Sequence, residues 1–191
     1  MNRAIILHGM PSKEEYYNVA IEDSPSNSHW IPWLQHELCM CDIIAQTPEM
    51  PQSYKPDYDI WKNEFERLAP DNNTLLVGHS CGGGFIIRWL SENPQNMVAK
   101  VVLVAPWLDI EKKAGLMFDF SLNQDIARQS TKGIDLLYST NDGPELQSSL
   151  EFLRQKIKDL RYHEFINYGH FTLGSMKTRQ FPELLQICLN K

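Results

Sequence analysis

No stretch of this sequence approaches the roughly 18 consecutive apolar residues that cross a membrane. The opening Met1-Asn2-Arg3 runs straight into a strand-like segment, unlike a secretory leader. Positive charge is in short supply: 18 Lys and Arg stand against 24 Asp and Glu, a net charge of −6. A surface of that sign repels phosphates, so neither nucleic acid nor an anionic membrane is an expected partner. Cysteine is sparse as well. Cys39, Cys41, Cys81 and Cys188 form no disulfide framework, and His36, Cys39 and Cys41 lack the paired spacing and second half of a structural zinc site. They read as buried or semi-buried thiols, no metal is expected, and the cytoplasm is the expected compartment. Repeats, low-complexity tracts and an interdomain linker are also missing. The 191 residues therefore suit a single domain over 1–191, long enough to bury about 70 % of the surface of its unfolded chain.

What is present has a clear rhythm. Apolar runs of strand length fall at Ala4–Leu7, Cys41–Ala45, Thr74–Val77, Val101–Val104, Ile134–Tyr138 and Tyr162–Ile166. Such unbroken runs are expected where helices cover both faces of a parallel sheet. Helical patterns lie between them at His29–Leu38, Tyr58–Leu68, Gly83–Glu92, Glu145–Asp159 and Phe181–Leu189, with Pro144 placed where a first turn tolerates it. Two irregular insertions interrupt the alternation. Pro11–Asn27 includes Ser12 and Glu15 as a capping box for a short helix, and Asp109–Lys132 carries an amphipathic patch at Leu116, Met117, Phe118 and Phe120. The fold expected is α/β, a three-layer αβα sandwich around about six mostly parallel strands.

The strongest local signal is Gly78-His79-Ser80-Cys81-Gly82, between an apolar strand and a helical pattern. A nucleophile on a very tight strand-to-helix turn has a strained backbone, so its neighbours must be small. The turn lifts the Ser80 hydroxyl clear of the sheet and sets the Cys81 N–H at a helix N-terminus, facing a developing oxyanion. A phosphate-binding loop would need Lys where Phe85 follows Gly84, and a dinucleotide fingerprint needs a glycine spacing that Gly78 to Gly84 do not supply.

A serine needs a base, and the base an orienting acid, which on this scaffold follow in the order Ser, acid, His. His163 and His170 lie downstream. His163 falls inside a strand pattern and reads as a sheet-surface residue, whereas His170 comes just past that strand, at the edge where α/β enzymes build their sites. His170 is the expected base. Asp142, in Ser139-Thr140-Asn141-Asp142-Gly143-Pro144, is the favoured acid, with Asp109 as competitor. A second oxyanion donor is expected after the first strand, in His8-Gly9-Met10: the Met10 N–H, with Gly9 as the alternative. Trp33, Trp107, Phe118 and Phe171 are candidates to line an apolar pocket, alongside Gly9 and His79 as substrate contacts.

Together these residues resemble the α/β-hydrolase superfamily, and within it the small serine hydrolases similar to retinoblastoma-binding protein nine and the YdeN-like bacterial esterases. The likeness runs through Ile5-Ile6-Leu7-His8-Gly9, Asn27-Ser28-His29-Trp30-Ile31-Pro32-Trp33-Leu34, the turn at Ser80, Ser139-Thr140-Asn141-Asp142 and Gly169-His170-Phe171. The resemblance implies a trimmed hydrolase sheet of order 2-1-3-4-5-6, a triad of Ser80, Asp142 and His170, and no metal or organic cofactor. Met10-Pro11 departs from the glycine-richer loop of some relatives. The activity expected is hydrolysis of small esters or related acyl compounds through an acyl-enzyme, falling off in acid as the base is protonated. A different class of reading is a protein-binding module with a disused hydrolase site. Its contact surface to an unidentified partner would be aromatic residues of Asn27–Leu34 or Leu116–Phe120.

Overall fold

A computed structural model describes residues 1–18, 23–112 and 115–190. Residues 19–22 of the first insertion, Lys113 and Ala114 of the second, and the Leu116 side chain of the expected amphipathic patch lie outside the described part. Six strands, β1 (Arg3–Leu7), β2 (Ile44–Gln46), β3 (Thr74–His79), β4 (Lys100–Val104), β5 (Ile134–Ser139) and β6 (Leu160–Phe165), form one sheet. Its order is β2-β1-β3-β4-β5-β6, and every neighbouring pair is parallel. The expected order and fold class are those observed.

Seven α-helices accompany the sheet in the described residues: α1 (Lys13–Tyr17), α2 (Ile31–Met40), α3 (Tyr58–Glu66), α4 (Cys81–Glu92), α5 (Pro144–Lys156), α6 (Leu173–Met176) and α7 (Pro182–Leu189). Strand side chains alternate between two cores, which is why the strands read as unbroken apolar runs. Ile5, Leu76, Leu103 and Leu136 pack with Trp61 and Phe65 of α3, Phe85 and Trp89 of α4 and Leu153 of α5. Ile6, Val77, Val102 and Leu137 pack on the other side with Leu34 and Leu38 of α2 and Leu184 of α7. Among the described residues no helix is long and apolar enough to cross a membrane.

Local chemistry sets the element ends. The Ser12–Glu15 capping box forms as expected, with the Glu15 N–H reaching Ser12 Oγ at 3.2 Å and the Ser12 N–H reaching Glu15 Oε2 at 2.7 Å. Several boundaries differ from expectation: α3 stops at Glu66 and α5 at Lys156 rather than at Leu68 and Asp159, α4 starts at Cys81 rather than Gly83, and β6 spans Leu160–Phe165 rather than Tyr162–Ile166. Helix α2 begins at Ile31 rather than His29, because His29 holds a left-handed φ of 59° that a right-handed helix excludes. It runs on through Met40, so Cys41 caps it, Asp42 turns the chain at φ 59°, and β2 starts only at Ile44. The short α6, capped by the Thr172 side chain, was not anticipated.

The N-terminal edge of the sheet holds a buried ionic cluster. Lys100 and Asp135, both nearly inaccessible, pair at 3.3 Å. Arg161 grips the same carboxylate with two nitrogens at 2.9 and 2.6 Å, and His163 Nε2 meets it at 2.8 Å. Burial alone would raise the Asp135 carboxyl. The bonds from Arg161 and His163 and the Lys100 charge bring it below its ordinary value instead. Lys100 also donates to the carbonyls of Ile187 and Asn190, so an ammonium sits at the electronegative end of α7. His163 thus belongs to a structural cluster on β6.

Candidate active site

Strand β3 ends at His79 and α4 begins at Cys81, leaving Ser80 alone to make the turn. Its backbone sits at φ 52° and ψ −119°, a strained conformation for a residue with a side chain. The surroundings hold it there. The Ser80 N–H donates to the Val104 carbonyl at 2.9 Å, and the Ser80 carbonyl accepts from Gly84 and Trp107 N–H groups at 3.1 and 3.0 Å. The small residues are required by close approach: a Cβ at Gly78 would lie 2.7 Å from Gly83 Cα, and one at Gly82 2.5 Å from the His8 carbonyl oxygen. Cys81 points its side chain into the core, where burial and then the charge of Asp109 push the thiol up, well away from thiolate formation. Its N–H lies in the first turn of α4, where no intrahelical acceptor exists.

Beyond β1 the chain passes directly beneath this turn. A Cβ built on Gly9 would stand 3.1 Å from Ser80 Cβ and 3.6 Å from Ser80 Oγ. His8 is buried, and its two ring nitrogens have opposite tasks. Nε2 accepts the Met50 N–H at 2.9 Å, so the ring proton is on Nδ1, which donates to the Gly9 carbonyl at 2.7 Å. Burial keeps this imidazole neutral. With the Gly9 carbonyl held by His8, the Met10 N–H across the same trans peptide points away from His8. Met10 lines the cavity that Ser80 opens into.

His170 follows β6 on a loop whose backbone turns left-handed at Asn167, Gly169 and Phe171. His170 Nδ1 meets Asp142 Oδ2 at 3.0 Å, and the Asp142 side chain is almost fully covered. Asp109 is buried beside Cys81, and among the described residues no hydrogen bond or ion pair joins it to His170. The two candidate loops are stapled together by side chains that sequence reasoning passed over. Asn141 Oδ1 accepts the Gly169 N–H at 2.8 Å and the Ser139 hydroxyl at 2.8 Å, while Ser139 Oγ accepts the Tyr168 N–H at 2.9 Å. Thr140 Oγ1 accepts the Asn167 N–H at 3.2 Å. Among the described residues the Ser80 hydroxyl has no side-chain partner, and no hydrogen bond joins it to the His170 ring. Both line one cavity of about 580 Å³. Such contacts are often long in a free enzyme and tighten around substrate.

His79 also borders the cavity, yet its ring is occupied. A carbonyl can only accept, so His79 Nε2–H donates to the His170 carbonyl at 2.9 Å, tying the residue before Ser80 to the loop of His170. The rings lie 4.9 Å apart, and burial first, then neighbouring histidines, hold His79 well below its usual pKa. Of the expected pocket aromatics, none lines this cavity. Phe171 is turned into the core by its φ of 53° and stacks on Phe181 at 5.6 Å. Trp33 packs against the same core, and Trp107 is buried edge-on to Phe118, which borders a separate recess with Asp109 and Asp119. The cavity wall is more polar than expected, with His29, Ser28, Thr172 and Arg179 among its residues. Among the described residues no three His, Cys, Asp or Glu side chains gather as metal ligands, His36, Cys39 and Cys41 included; Cys39 and Cys41, at the C-terminal end of α2, are exposed rather than buried as expected.

A model of the serine hydrolase family matches residues 21–178. The chain belongs to that family. Solved structures place this serine hydrolase among α/β hydrolases in fold. The YdeN gene product of Bacillus subtilis shares 22 % identity at a TM-score of 0.76, covering 98 % of this chain and 96 % of its own. A YdeN-like hydrolase of Pectobacterium atrosepticum shares 17 % identity at 0.65, covering 98 % and 89 %. The naproxen esterase of Bacillus subtilis shares 13 % at 0.61, covering 97 % and 82 %. No curated protein matches this serine hydrolase by sequence.

Proposed function

We propose that this serine hydrolase cleaves small carboxylic esters through an acyl-enzyme formed on Ser80, with His170 as base and Asp142 as its orienting acid. The observation that carries the reading is the 3.0 Å contact from His170 Nδ1 to Asp142 Oδ2, made beside a strained serine in a shared cavity. With Nδ1–H donated to the carboxylate, His170 Nε2 offers its lone pair. It takes the Ser80 proton as the oxygen attacks the carbonyl carbon, and returns that proton to the departing alcohol. Asp142 stabilises the imidazolium formed in between. The Cys81 and Met10 N–H groups receive the oxyanion, each contributing about 10²–10³ in rate. Water then repeats the sequence on the acyl-enzyme.

The test is a fluorophosphonate probe on the purified protein, with the adduct located by mass spectrometry. Labelling at Ser80 that disappears in Ser80→Ala and His170→Ala supports an activated nucleophile. A folded wild type that takes no label overturns the reading and puts a non-catalytic binding module in its place. Of that alternative's expected contact residues Trp30 is buried, and Trp33, Phe118 and Phe120 are half-buried against the two cores.

A further inference from the structure

The cavity wall beside His170 carries a donor that the chemistry above does not use. His29 is held in a left-handed backbone conformation, φ 59°, and lines the same cavity as Ser80. Its Nδ1 accepts the Leu173 N–H at 3.2 Å. A ring nitrogen that accepts carries no proton, so the proton of the neutral imidazole is on Nε2. Among the described residues nothing accepts from that Nε2–H.

Its position assigns it to one half of a substrate. The His29 ring stands edge-on to His79 at 5.7 Å, and the His79 ring lies 4.9 Å from His170. Leu173, which anchors His29, is three residues past His170. His29 therefore borders the cavity beside the His170 loop, from which, in the reading above, a proton passes to the departing alcohol.

The surrounding charges say what such a donor accepts. Burial, then the neighbouring His170 and Arg179, lower the His29 pKa to about 4, so the ring is a neutral donor at ordinary pH. Arg179 on the same wall is paired with Asp23, and another of its nitrogens donates to the Asn27 carbonyl at 3.1 Å. With Glu15 and Asp23 also bordering the cavity, the wall does not favour an anion. A neutral oxygen acceptor meets none of that repulsion.

We propose that His29 Nε2–H, braced by the Leu173 N–H, forms a leaving-group subsite for a neutral oxygen on the alcohol half of the ester, an ether or hydroxyl such as glycol and polyol esters carry. The subsite rests on the reading of Ser80 and His170 given above. It makes His29 a substrate contact, and it makes the preferred substrate an oxygenated alkyl ester rather than a plain one.

Two acetates of matched shape test it: 2-methoxyethyl acetate and butyl acetate, whose leaving groups differ by an ether oxygen in place of a methylene. Acetate release gives kcat/KM for each. Dividing their ratio by the ratio for hydroxide hydrolysis removes intrinsic reactivity. Wild type is expected to favour the methoxyethyl ester about three- to tenfold after that correction, the effect of one hydrogen bond. His29→Phe keeps a ring without the donor, and His29→Gly relaxes the left-handed backbone while removing the side chain. Both are expected to bring the ratio to unity. Fluorophosphonate labelling of wild type runs alongside. Labelled Ser80 with a wild-type ratio at unity overturns the subsite alone, as does a preference that persists in both variants. Absence of both labelling and acetate release overturns the hydrolase reading and the subsite with it. If neither variant folds, the corrected wild-type ratio decides by itself.

Discussion

Asn141 and Gly169, 28 residues apart in the chain, are joined by a 2.8 Å hydrogen bond from the Gly169 N–H to Asn141 Oδ1, one residue from each member of the Asp142–His170 pair. The same oxygen accepts the Ser139 hydroxyl, which in turn accepts the Tyr168 N–H. Asn141→Leu removes the acceptor from both. Stability is expected to drop by about 1–3 kcal/mol. Ser80 labelling should slow about tenfold or more, because the His170 loop loses its register to Asp142. Urea unfolding and labelling kinetics read the two effects separately.

Asp142 and Asp109 make opposite predictions. Asp142→Asn presents an amide to His170 Nδ1 and favours the wrong tautomer, so turnover is expected to fall by about 10⁴ with the fold intact. Asp109 lies by Cys81 rather than His170, so Asp109→Asn should cost turnover less than tenfold. Steady-state ester hydrolysis with both folded variants checks this, and comparable losses would contradict it.

His79→Phe preserves a ring beside His170 while deleting the donor to its carbonyl. Labelling of Ser80 is expected to slow about tenfold, with substrate KM nearly unchanged. His79→Gln, which retains an N–H, should recover part of the loss. Equal rates in wild type and His79→Phe would count against a positioning effect.

Gly84→Ala tests the packing of the turn. The new Cβ would stand 2.0 Å from the Trp107 carbonyl oxygen, with the Phe118 ring at 2.6 Å. Helix α4 cannot move away without releasing Ser80, so a destabilisation of about 3 kcal/mol or more is expected, or loss of soluble protein. Thermal unfolding of the variant measures it.

His8, His29 and His79 all hold pKa values below the ordinary 6.5, with burial as the first cause. The unfolded chain binds protons at these sites near pH 6.5 while the folded chain does not. Their contribution is therefore complete above pH 6.5 and lost as the pH falls, continuing for His29 to about pH 4. Each group adds a slope of at most about 1.4 kcal/mol per pH unit. Urea midpoints between pH 7.5 and 4.5 should decline, less steeply in His29→Phe. A flat profile would contradict the neutral assignments.

The sheet could be read from the sequence because strands buried on both faces are unbroken apolar runs, and because Ser80, Asp142 and His170 each follow such a run. Phe171 and Trp107 could not be assigned, since an aromatic beside a site has the same hydrophobic reason to enter the core as to line a pocket; the left-handed turn at Phe171 decides it. Asn141 and Ser139 look like ordinary turn residues, and their staples need the partner loop in place. For His8, His29 and His79 the question is which nitrogen meets which backbone group, and only tertiary contacts answer it.

The strained turn at Ser80 exists only through its neighbours: the Val104 carbonyl of β4 receives its N–H, and the His8 carbonyl beyond β1 leaves no room for a side chain at Gly82. Strand β4 follows β3 only across helix α4, and β1 precedes β3 by the whole of β2 and α3. On the proposed mechanism, a partly folded chain would therefore carry an ordinary serine, and the nucleophile would form only when the central strands β1, β3 and β4 dock. Acylation of Ser80 would then serve as a clock for sheet assembly during refolding.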